Sequence, residues 1–577
     1  MKLPAFWSPG TRSQAESILK SPALTRTARV IRDSIAIQDC IFLGTVMLVS
    51  LISYINALGF YSDDWSYLDT FNASHNPREL LASFFPSEAY RPLLVLPLVA
   101  LFYIFGLQPL GYHIVESAML FAVVLLLYAI LRELSLPRLV TLAVPLTYAL
   151  LPHYSTDRFW VSVSCANLSM LLCFISFYAA LRTTVSWSMG WMTISLAALM
   201  LSTLAYEVTI PLFIVIPPLM WYRASTFSSR VTLNQAVSHR FRIGIALTPV
   251  IALVIAMVYK LATQQRTKFQ GRFLHQLGTV CWHAIVLAFN FNYGRYGLLL
   301  PRVAWRALNR YFNWPILLVC VFLGILIYWY LLRVGRDAAW PPAAAWLLLA
   351  ASGLVIYGLA FSPFTADVTL DWITAGVANR TAIAAALGPA LSLVGLMGWV
   401  GTLLHSQRIR GCWFAVTISI FCFSGCTIIN TIASFWAKAS KTQAEILTSI
   451  RSQFPVLEPE STIILDGACA YIGPGIVFEG DLDLEPALRL MYRDRTLQAN
   501  IVTAKTRIDE DGLWTSLYDF KVRYSYSPKL IVYNYLRRIA APLKDVHAAR
   551  RYFQKYDPDF TSGCPPSQEA YGAPIFD

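Results

Sequence analysis

The sequence predicts an α-helical polytopic membrane protein of about eleven transmembrane helices, followed by a small C-terminal α/β domain outside the lipid. Hydrophobic residues make up 56% of the 577 residues and charged residues only 14%, whereas soluble domains carry about 25% charged residues. A chain this apolar cannot cover its surface in water, so lipid must be the solvent for much of it. Apolar runs long enough to span a bilayer also recur up to residue 435 and then stop.

Each predicted span is an apolar run of about 18–20 residues, or a shorter one with polar flanks. The single runs are roughly 38–60, 112–131, 138–152, 162–181, 242–262, 314–333, 341–362, 380–403 and 411–435. The run 188–222 carries Glu207 beside Pro211, which predicts two helices meeting at a tight outer bend. The run 93–107 is short and contains Pro97, so we expect a helix along the surface. Residues 276–292 are either an additional span or part of a basic external loop.

The charges of the loops predict the orientation. The N-terminal tail and the loops near Arg138, Arg182, 223–242, Arg333 and Arg408 are basic with few acids, which is typical of the cytoplasmic side. We therefore expect a cytoplasmic tail (1–37), a transmembrane domain (38–435) and an extracytoplasmic domain (436–577). The net charge of +13 then reflects loops beside anionic lipid headgroups rather than a nucleic-acid partner.

The last 140 or so residues change in composition and predict a small α/β domain. Strand-like runs are STIILDG (461–467), ANIVTA (499–504) and KLIVYNY (529–535), and EPALRLMYRD (485–494) has a helical pattern. Cys469 and Cys564 are the two cysteines of this part. They could pair in an oxidising compartment, or remain two unrelated thiols.

The strongest chemical signal is the segment GFYSDDWSYLD (59–69), which places Asp63 and Asp64 directly after the first span. Two adjacent carboxylates repel, which raises the pKa of one and suits a general base or a metal ligand. A Mg²⁺ or Mn²⁺ ion could bind there, although no cofactor is clearly indicated. Alternatively, the two acids cap the next helix and are hydrated.

An acidic pair in the first outer loop resembles the GT-C glycosyltransferases, a fold that includes protein O-mannosyltransferases, the aminoarabinose transferases of lipid A and bacterial cell-envelope enzymes. The segment 88–121 resembles the family's RPL segment, surface helix and tyrosine–histidine pair. LSTLAYEVTIPLFIVIP (201–217) resembles the "K-E … P" signature, and NRTAIAAALGPAL (379–391) an arginine-bearing helix start. The resemblance covers roughly residues 38–435. Tyr206 stands where many relatives carry lysine, which puts a phosphate role of that position in doubt.

The resemblance implies an inverting glycosyltransferase in a bacterial inner membrane. It would move a sugar from a polyprenyl-phosphate-linked donor to a cell-envelope glycan, lipid or protein at the outer face. Asp63 would be the general base, with Asp64 orienting the acceptor or partnering the base. Arginine suits the leaving phosphate, and the candidates are Arg91, Arg272, Arg295 and Arg380; contact with lipid headgroups would explain each of them as well.

Further substrate-binding candidates are Tyr90 of the RPL segment, His113 and Glu116 at the start of a span, and Glu207 at the bend. Ionisable groups buried in a membrane protein are costly and therefore suggest function; a hydrated interfacial histidine is the simpler explanation of His113. Asp157 and Arg158 either line the cavity or form an internal ion pair.

Two other functions fit the same sequence. A membrane transporter or lipid flippase would also need many spans and intramembrane charge, although the paired halves with broken helices typical of many transporters are not visible. A non-catalytic relative of the same fold would keep the architecture without the role of Asp63. The identity of the sugar and of the acceptor stays open.

Overall fold

The computed structural model describes residues 22–74, 76–84, 88–186, 188–228, 239–263, 278, 282, 289–336, 339–362, 377–517 and 522–564. These residues form a bundle of apolar helices followed by a small domain with strands. The predicted fold class, a helical membrane protein with a C-terminal α/β domain, is confirmed. The protein is therefore a multi-pass membrane protein.

The bundle consists of fifteen α-helices in the part of the chain described above. They are α1 (Pro22–Ile52), α2 (Asp63–Ala73), α3 (Pro77–Phe84), α4 (Pro92–Phe105), α5 (Pro109–Glu133), α6 (Arg138–Leu150), α7 (Ser164–Ser186), α8 (Met189–Ala205), α9 (Ile216–Ser228), α10 (His239–Thr263), α11 (Leu300–Arg310), α12 (Trp314–Arg336), α13 (Ala343–Phe361), α14 (Leu387–Thr402) and α15 (Gln407–Gln453). Short 3₁₀ segments span Ile55–Ala57, Pro152–Arg158, Val161–Val163, Glu207–Val215 and Val377–Ala382, and a π-helix spans Asn290–Leu298.

Seven helices within the described ranges are long and apolar enough to cross a membrane, and five shorter apolar helices lie among them. The count of eleven spans stays a prediction. The run 188–222 is divided as expected: α8 ends at Ala205, and a 3₁₀ segment beginning at Glu207 leads into α9. The run 93–107 forms helix α4, which accommodates Pro97. Most of 276–292 lies outside the described residues.

The basic loops predicted to be cytoplasmic meet at one end of the bundle. Arg138 Nη2 lies 2.6 Å from Asp39 Oδ1 of α1. Arg182 and Arg223 both pair with Glu133 at the end of α5, at 3.2 and 2.5 Å. Helix α5 begins at the other end, beside the loop that leads into α2. The basic residues and the acidic pair thus occupy opposite ends, and the assignment of these ends to cytoplasm and exterior stays a prediction.

Helix α15 continues without interruption from the bundle into the C-terminal domain. The predicted domain boundary at 435/436 falls inside this helix, which ends at Gln453. Residues 436–453 contain neither glycine nor proline, so no residue there breaks the helix. Their buried positions Trp436, Ala439, Gln443 and Ile446 are spaced three or four residues apart, and this stripe packs against the C-terminal strands.

The C-terminal domain contains nine strands and two helices in the described ranges. They are β1 (Thr462–Asp466), β2 (Tyr471–Ile472), β3 (Gly475–Ile476), α16 (Leu484–Tyr492), β4 (Gln498–Ile501), β5 (Arg507–Asp509), β6 (Gly512–Thr515), β7 (Val522–Tyr524), β8 (Leu530–Asn534), β9 (Ile539–Pro542) and α17 (Val546–Tyr556). The main sheet has the order β4-β1-β8-β9, in which β1 is parallel to β4 and β8, and β9 is antiparallel to β8.

The three predicted strands are the three parallel ones, and the predicted helix is α16. Strand β1 is buried along its whole length, with Ile463 paired to Ala499 and Ile531 on either side. Continuous apolar runs are typical of such doubly covered parallel strands, which explains why these three runs were readable. The short antiparallel strands β2, β3, β5, β6, β7 and β9 were not predicted.

Cys469 and Cys564 form a disulfide across 95 residues of sequence. Closing a loop of this length removes much entropy from the unfolded chain. Replacing both cysteines by alanine is expected to lower the free energy of unfolding of the C-terminal domain by about 4 kcal/mol. Proteolysis of that domain with increasing temperature measures the loss.

Cys40→Ala is the matched control, since Cys40 is a half-buried free thiol in the bundle. Alkylation of both Cys469 and Cys564 in the folded protein without reductant would contradict the pairing.

Candidate active site

The loop before α2 is fixed to the long helix α15. Tyr61 donates its hydroxyl to the Trp436 carbonyl at 2.9 Å and accepts the amide of Gly59 at 3.1 Å. A Cβ at position 59 would collide with the Ser440 side chain, so glycine allows the loop backbone to lie directly on the helix. His113 of α5 holds the same loop, with Nε2 3.0 Å from the Gly59 carbonyl.

Ser62 adopts a backbone conformation that favours glycine. Its φ of 48° and ψ of −123° belong to a tight turn, closed by a hydrogen bond from the Asp64 amide to the Tyr61 carbonyl at 3.0 Å. A non-glycine residue held there stores strain of about 1–3 kcal/mol. This turn places Asp63 and Asp64 in the first turn of α2, where the helix dipole favours carboxylates.

The two aspartates have different environments. Asp64 is 3% exposed, and its two oxygens accept the amides of Tyr61 at 2.9 Å and Ser162 at 2.7 Å. Burial raises the pKa of Asp64 well above its usual value, against the effect of these two bonds. The carboxylate of Asp64 thus ties the loop to the segment before α7. The predicted role in orienting the acceptor stays a prediction, and the geometry favours a structural one.

Asp63 is less buried than Asp64 and is attracted to the charge of Arg380. Burial raises its pKa, and the Arg380 guanidinium opposes that shift. A carboxyl whose pKa lies above the usual value of about 4 has more affinity for a proton, which suits a general base. Asp63 is therefore the acid of the pair that is available for chemistry.

Arg380 is held above this loop by the packing of two 3₁₀ segments. Its neighbour Asn379 accepts the amide of Thr156 at 3.0 Å and donates to Ser155 Oγ at 2.8 Å. The Arg380 guanidinium lies 5.1 Å from the ring centroid of Trp160. Within the described ranges Arg380 forms no ion pair closer than 4 Å, so its charge is available to an anion.

Asp157 is a second carboxyl attracted to Arg380, and it was not among the principal candidates. Both of its oxygens are buried without a hydrogen-bond partner in the described part of the chain. Burial raises its pKa well above the usual value, and Arg380 opposes this more strongly than Arg158 does. Arg158 instead donates to the Ala149 carbonyl and lies over the ring of Tyr154. The geometry therefore does not favour an ion pair between Asp157 and Arg158, and the role of Asp157 in lining a cavity stays a prediction.

Arg91 and Glu207 form a forked ion pair. Arg91 Nε donates to Glu207 Oε2 at 3.0 Å and Nη2 donates to Oε1. The guanidinium also lies 4.4 Å from the ring centroid of Tyr206. Glu207 thus compensates the charge of Arg91, which makes Arg91 a weaker phosphate ligand than Arg380.

Lys260 completes this cluster and was missed in the sequence. Its Nζ lies 3.8 Å from Glu207 Oε2, donates to the Tyr90 carbonyl at 2.6 Å, and lies 4.1 Å from the ring centroid of Tyr90. Helix α10 therefore supplies a second cation to Glu207, beside Arg91. Lys260 is the only Lys, Arg, Asp or Glu between 243 and 263, and that isolation was the available signal.

Glu207→Gln is expected to lower the free energy of unfolding by about 3–5 kcal/mol, because Arg91 and Lys260 would lose their shared counter-charge in a largely buried site. Thermal unfolding of the purified protein in detergent measures this. Glu79→Gln, at an exposed position of α3, is the control. An unchanged melting temperature with strongly reduced turnover would instead place Glu207 in the chemistry.

The other residues predicted to belong to the site are His113, Glu116, Arg295 and Arg272. Glu116 Oε2 lies 3.4 Å from His113 Nδ1, so this pair supports the loop from below. Arg295 lies on the π-helix, 5.5 Å from the ring centroid of Phe291. Arg272 lies outside the described residues.

A divalent metal has few ligands to use here. Both oxygens of Asp64 accept backbone amides, so a cation bridging Asp63 and Asp64 would compete with two hydrogen bonds. Within the described residues no group of three or more His, Cys, Asp or Glu side chains is arranged to hold a metal ion. The binding of Mg²⁺ or Mn²⁺ therefore stays an untested expectation.

No protein-family model and no curated protein matches this chain. Among solved structures it is similar to the crystal structure of ArnT from Cupriavidus metallidurans bound to undecaprenyl phosphate. The match covers 80% of this chain and 85% of that one, with 14% sequence identity and a TM-score of 0.33. At this level of similarity, the chemistry has to be inferred from the residues of this chain.

Proposed function

We propose that this protein is an inverting glycosyltransferase that moves a sugar from a polyprenyl-phosphate-linked donor to an acceptor of the cell envelope. The observation that carries the proposal is the electrostatic attraction between Asp63, a half-buried carboxyl whose pKa is raised by burial, and Arg380, a cation without an ion-pair partner in the described ranges. A base and an anion site near each other are what glycosyl transfer from a phosphate donor requires.

The reaction would be a single displacement. The acceptor oxygen forms a bond to the anomeric carbon while the bond between that carbon and the phosphate oxygen breaks. Asp63 takes the proton of the acceptor hydroxyl, and the departing phosphate keeps the bonding electron pair. Attack from the face opposite the leaving group inverts the anomeric centre.

Arg380 would bind the leaving phosphate, since a guanidinium offers several donors in a planar fork. Asp157 is attracted to the same guanidinium and would keep it oriented when no substrate is bound. The cluster of Arg91, Glu207 and Lys260 lies at the same end of the bundle as Asp63. Glu207 begins a 3₁₀ segment next to Tyr206, and the Tyr206 carbonyl accepts the hydroxyl of Ser169 of α7. This cluster would support the wall of the site.

The membrane side of the site is suited to an anionic lipid carrier. Helix α11 exposes Arg302, Arg306 and Arg310 four residues apart and packs its apolar face on α15. Its end meets α15 near the loop of Asp63, because the ring centroids of Tyr311 and Phe435 are 5.1 Å apart. Polybasic interfacial segments attract anionic headgroups.

The test uses the purified full-length protein in detergent with a panel of labelled polyprenyl-phosphate sugars and envelope acceptors. Release of polyprenyl phosphate together with a glycosylated product supports the proposal. Movement of a lipid-linked sugar across vesicles without cleavage of any bond would establish a flippase instead. Mass spectrometry of envelope glycans with and without the gene would then identify the sugar.

A further inference from the structure

Glu479 of the C-terminal domain reaches the loop that carries Asp63. Its side chain is 3% exposed, and both of its oxygens accept hydroxyl groups. Ser62, the residue before Asp63, donates to Oε2, and Tyr471 of β2 donates to Oε1. A residue more than 400 positions later in the chain therefore contacts the turn that begins α2.

The segment around Glu479 is held firmly. The carboxylate of Asp483 accepts the amides of Glu479, Gly480 and Leu484 at 2.7–3.0 Å. Gln443 of α15 donates to the Val477 carbonyl at 2.6 Å. The glutamate is thus presented from a rigid support, as pre-organised sites require.

Ser62 needs such a partner because its backbone is strained. With a φ of 48°, the turn persists only if surrounding contacts over-determine it. The bond to Glu479 holds the side chain of Ser62, and Trp160 Nε1 holds the preceding carbonyl of Tyr61 at 2.9 Å. Together these contacts fix the direction in which α2 starts.

Glu479 also contributes charge to the site. Burial, with a smaller contribution from Asp63, raises the pKa of Glu479 to about 6, whereas Arg380 opposes the shift. Burial, and with it the charge of Glu479, in turn raises the pKa of Asp483, whereas the pKa of Asp63 is raised by burial against the opposing effect of Arg380. The elements packed around Asp63 and Glu479 contribute the following charged and titratable groups: Arg380, Asp64, Tyr67, Glu88, Tyr471 and Asp483.

We propose that Glu479 is a positioning residue for Asp63, so that the C-terminal domain completes the active site instead of only covering it. This inference rests on the proposed function in so far as Asp63 is the base. Glu479 would hold the Ser62 turn, and with it the start of α2 that carries Asp63, through its hydrogen bond.

Glu479→Ala removes the hydrogen bond to Ser62, whereas Glu479→Gln keeps the shape and can still hydrogen-bond both hydroxyls. In Glu479→Ala we expect kcat to fall about tenfold with little change in KM for the donor, since a hydrogen bond to a charged acceptor is stronger than one between neutral groups, and Glu479→Gln should restore most of the loss. Asp481→Asn, an exposed neighbour, is the control and should leave kcat unchanged. A kcat of Glu479→Ala equal to that of the wild type would overturn the proposal.

Ser62→Ala tests the hydrogen bond from the other domain. A bond to a charged acceptor is strong, so kcat is expected to fall about tenfold with the fold retained. If Glu479→Ala does not fold, Ser62→Ala still decides, and activity equal to that of the wild type would refute the positioning role.

A substrate-free measurement separates this inference from the proposed function. Hydrogen–deuterium exchange of the Asp64 amide, which closes the Ser62 turn on the Tyr61 carbonyl, reports the turn directly by mass spectrometry. Exchange should be faster in Glu479→Ala than in the wild type and close to the wild type in Glu479→Gln. That difference would stand even if no donor were ever cleaved, whereas equal exchange rates would disprove the inference while leaving glycosyl transfer intact.

Discussion

Replacing Asp63 by asparagine is expected to reduce the rate of sugar transfer by a factor of about 10²–10⁴, the usual contribution of a general base. Asparagine has nearly the same shape but cannot accept the acceptor's proton. The fold should survive, because Asp64, not Asp63, accepts the backbone amides that tie this loop. Single-turnover release of polyprenyl phosphate from a labelled donor measures the rate.

Asp69→Asn is the matched control, since Asp69 is on the same helix and its carboxylate lies 4.0 Å from Arg489 of α16, not at Arg380. It should retain most of the activity. The wild-type rate should also fall on acidification, at a pH above the usual aspartate range, because the pKa of Asp63 is raised and only its deprotonated form accepts a proton. Full activity of Asp63→Asn would remove Asp63 from the mechanism.

Arg380→Ala is expected to lower kcat/KM for the lipid-linked donor by about 10–100-fold, since a charge-assisted bond contributes about 1.5–3 kcal/mol. The leaving phosphate would lose the cation that has no ion-pair partner in the described ranges. Arg380→Lys should recover part of the loss, because it restores the charge without the planar fork. Steady-state kinetics with varied donor concentration measures both variants.

Arg306→Ala, on the exposed face of α11, is the comparison that separates a site role from general attraction of anionic lipid. An equal effect of Arg306→Ala and Arg380→Ala would contradict a specific phosphate site at Arg380. An effect on kcat as well as on KM would show that Arg380 stabilises the transition state and not only the bound donor.

Much of the fold was predictable because burial in lipid or in a parallel sheet leaves continuous apolar runs. The bend at Glu207 and the strand STIILDG are examples. The path of α15 beyond residue 435 was not predictable, because its outer part is mixed in composition. Its buried stripe is explained only by the C-terminal domain that packs on it.

The site was predictable only where its residues are adjacent in sequence. Asp63 and Asp64 form a recognisable pair, yet their different roles depend on the Ser162 amide, which is distant in sequence. Lys260 is a lone charge in an apolar run, and Glu479 is one of several acids in the segment 479–485. Neither pattern identifies a partner, because tertiary folding alone brings these residues to Glu207 and Ser62.

The unbroken helix α15 has a mechanical consequence. Its 47 residues amount to about 70 Å at 1.5 Å per residue, more than twice the thickness of the hydrocarbon core. The part of the helix outside the lipid is a continuous rigid rod, so the C-terminal domain is not joined to the bundle by a flexible linker. Insertion of a glycine pair near residue 438 is therefore expected to uncouple the two halves and to slow turnover.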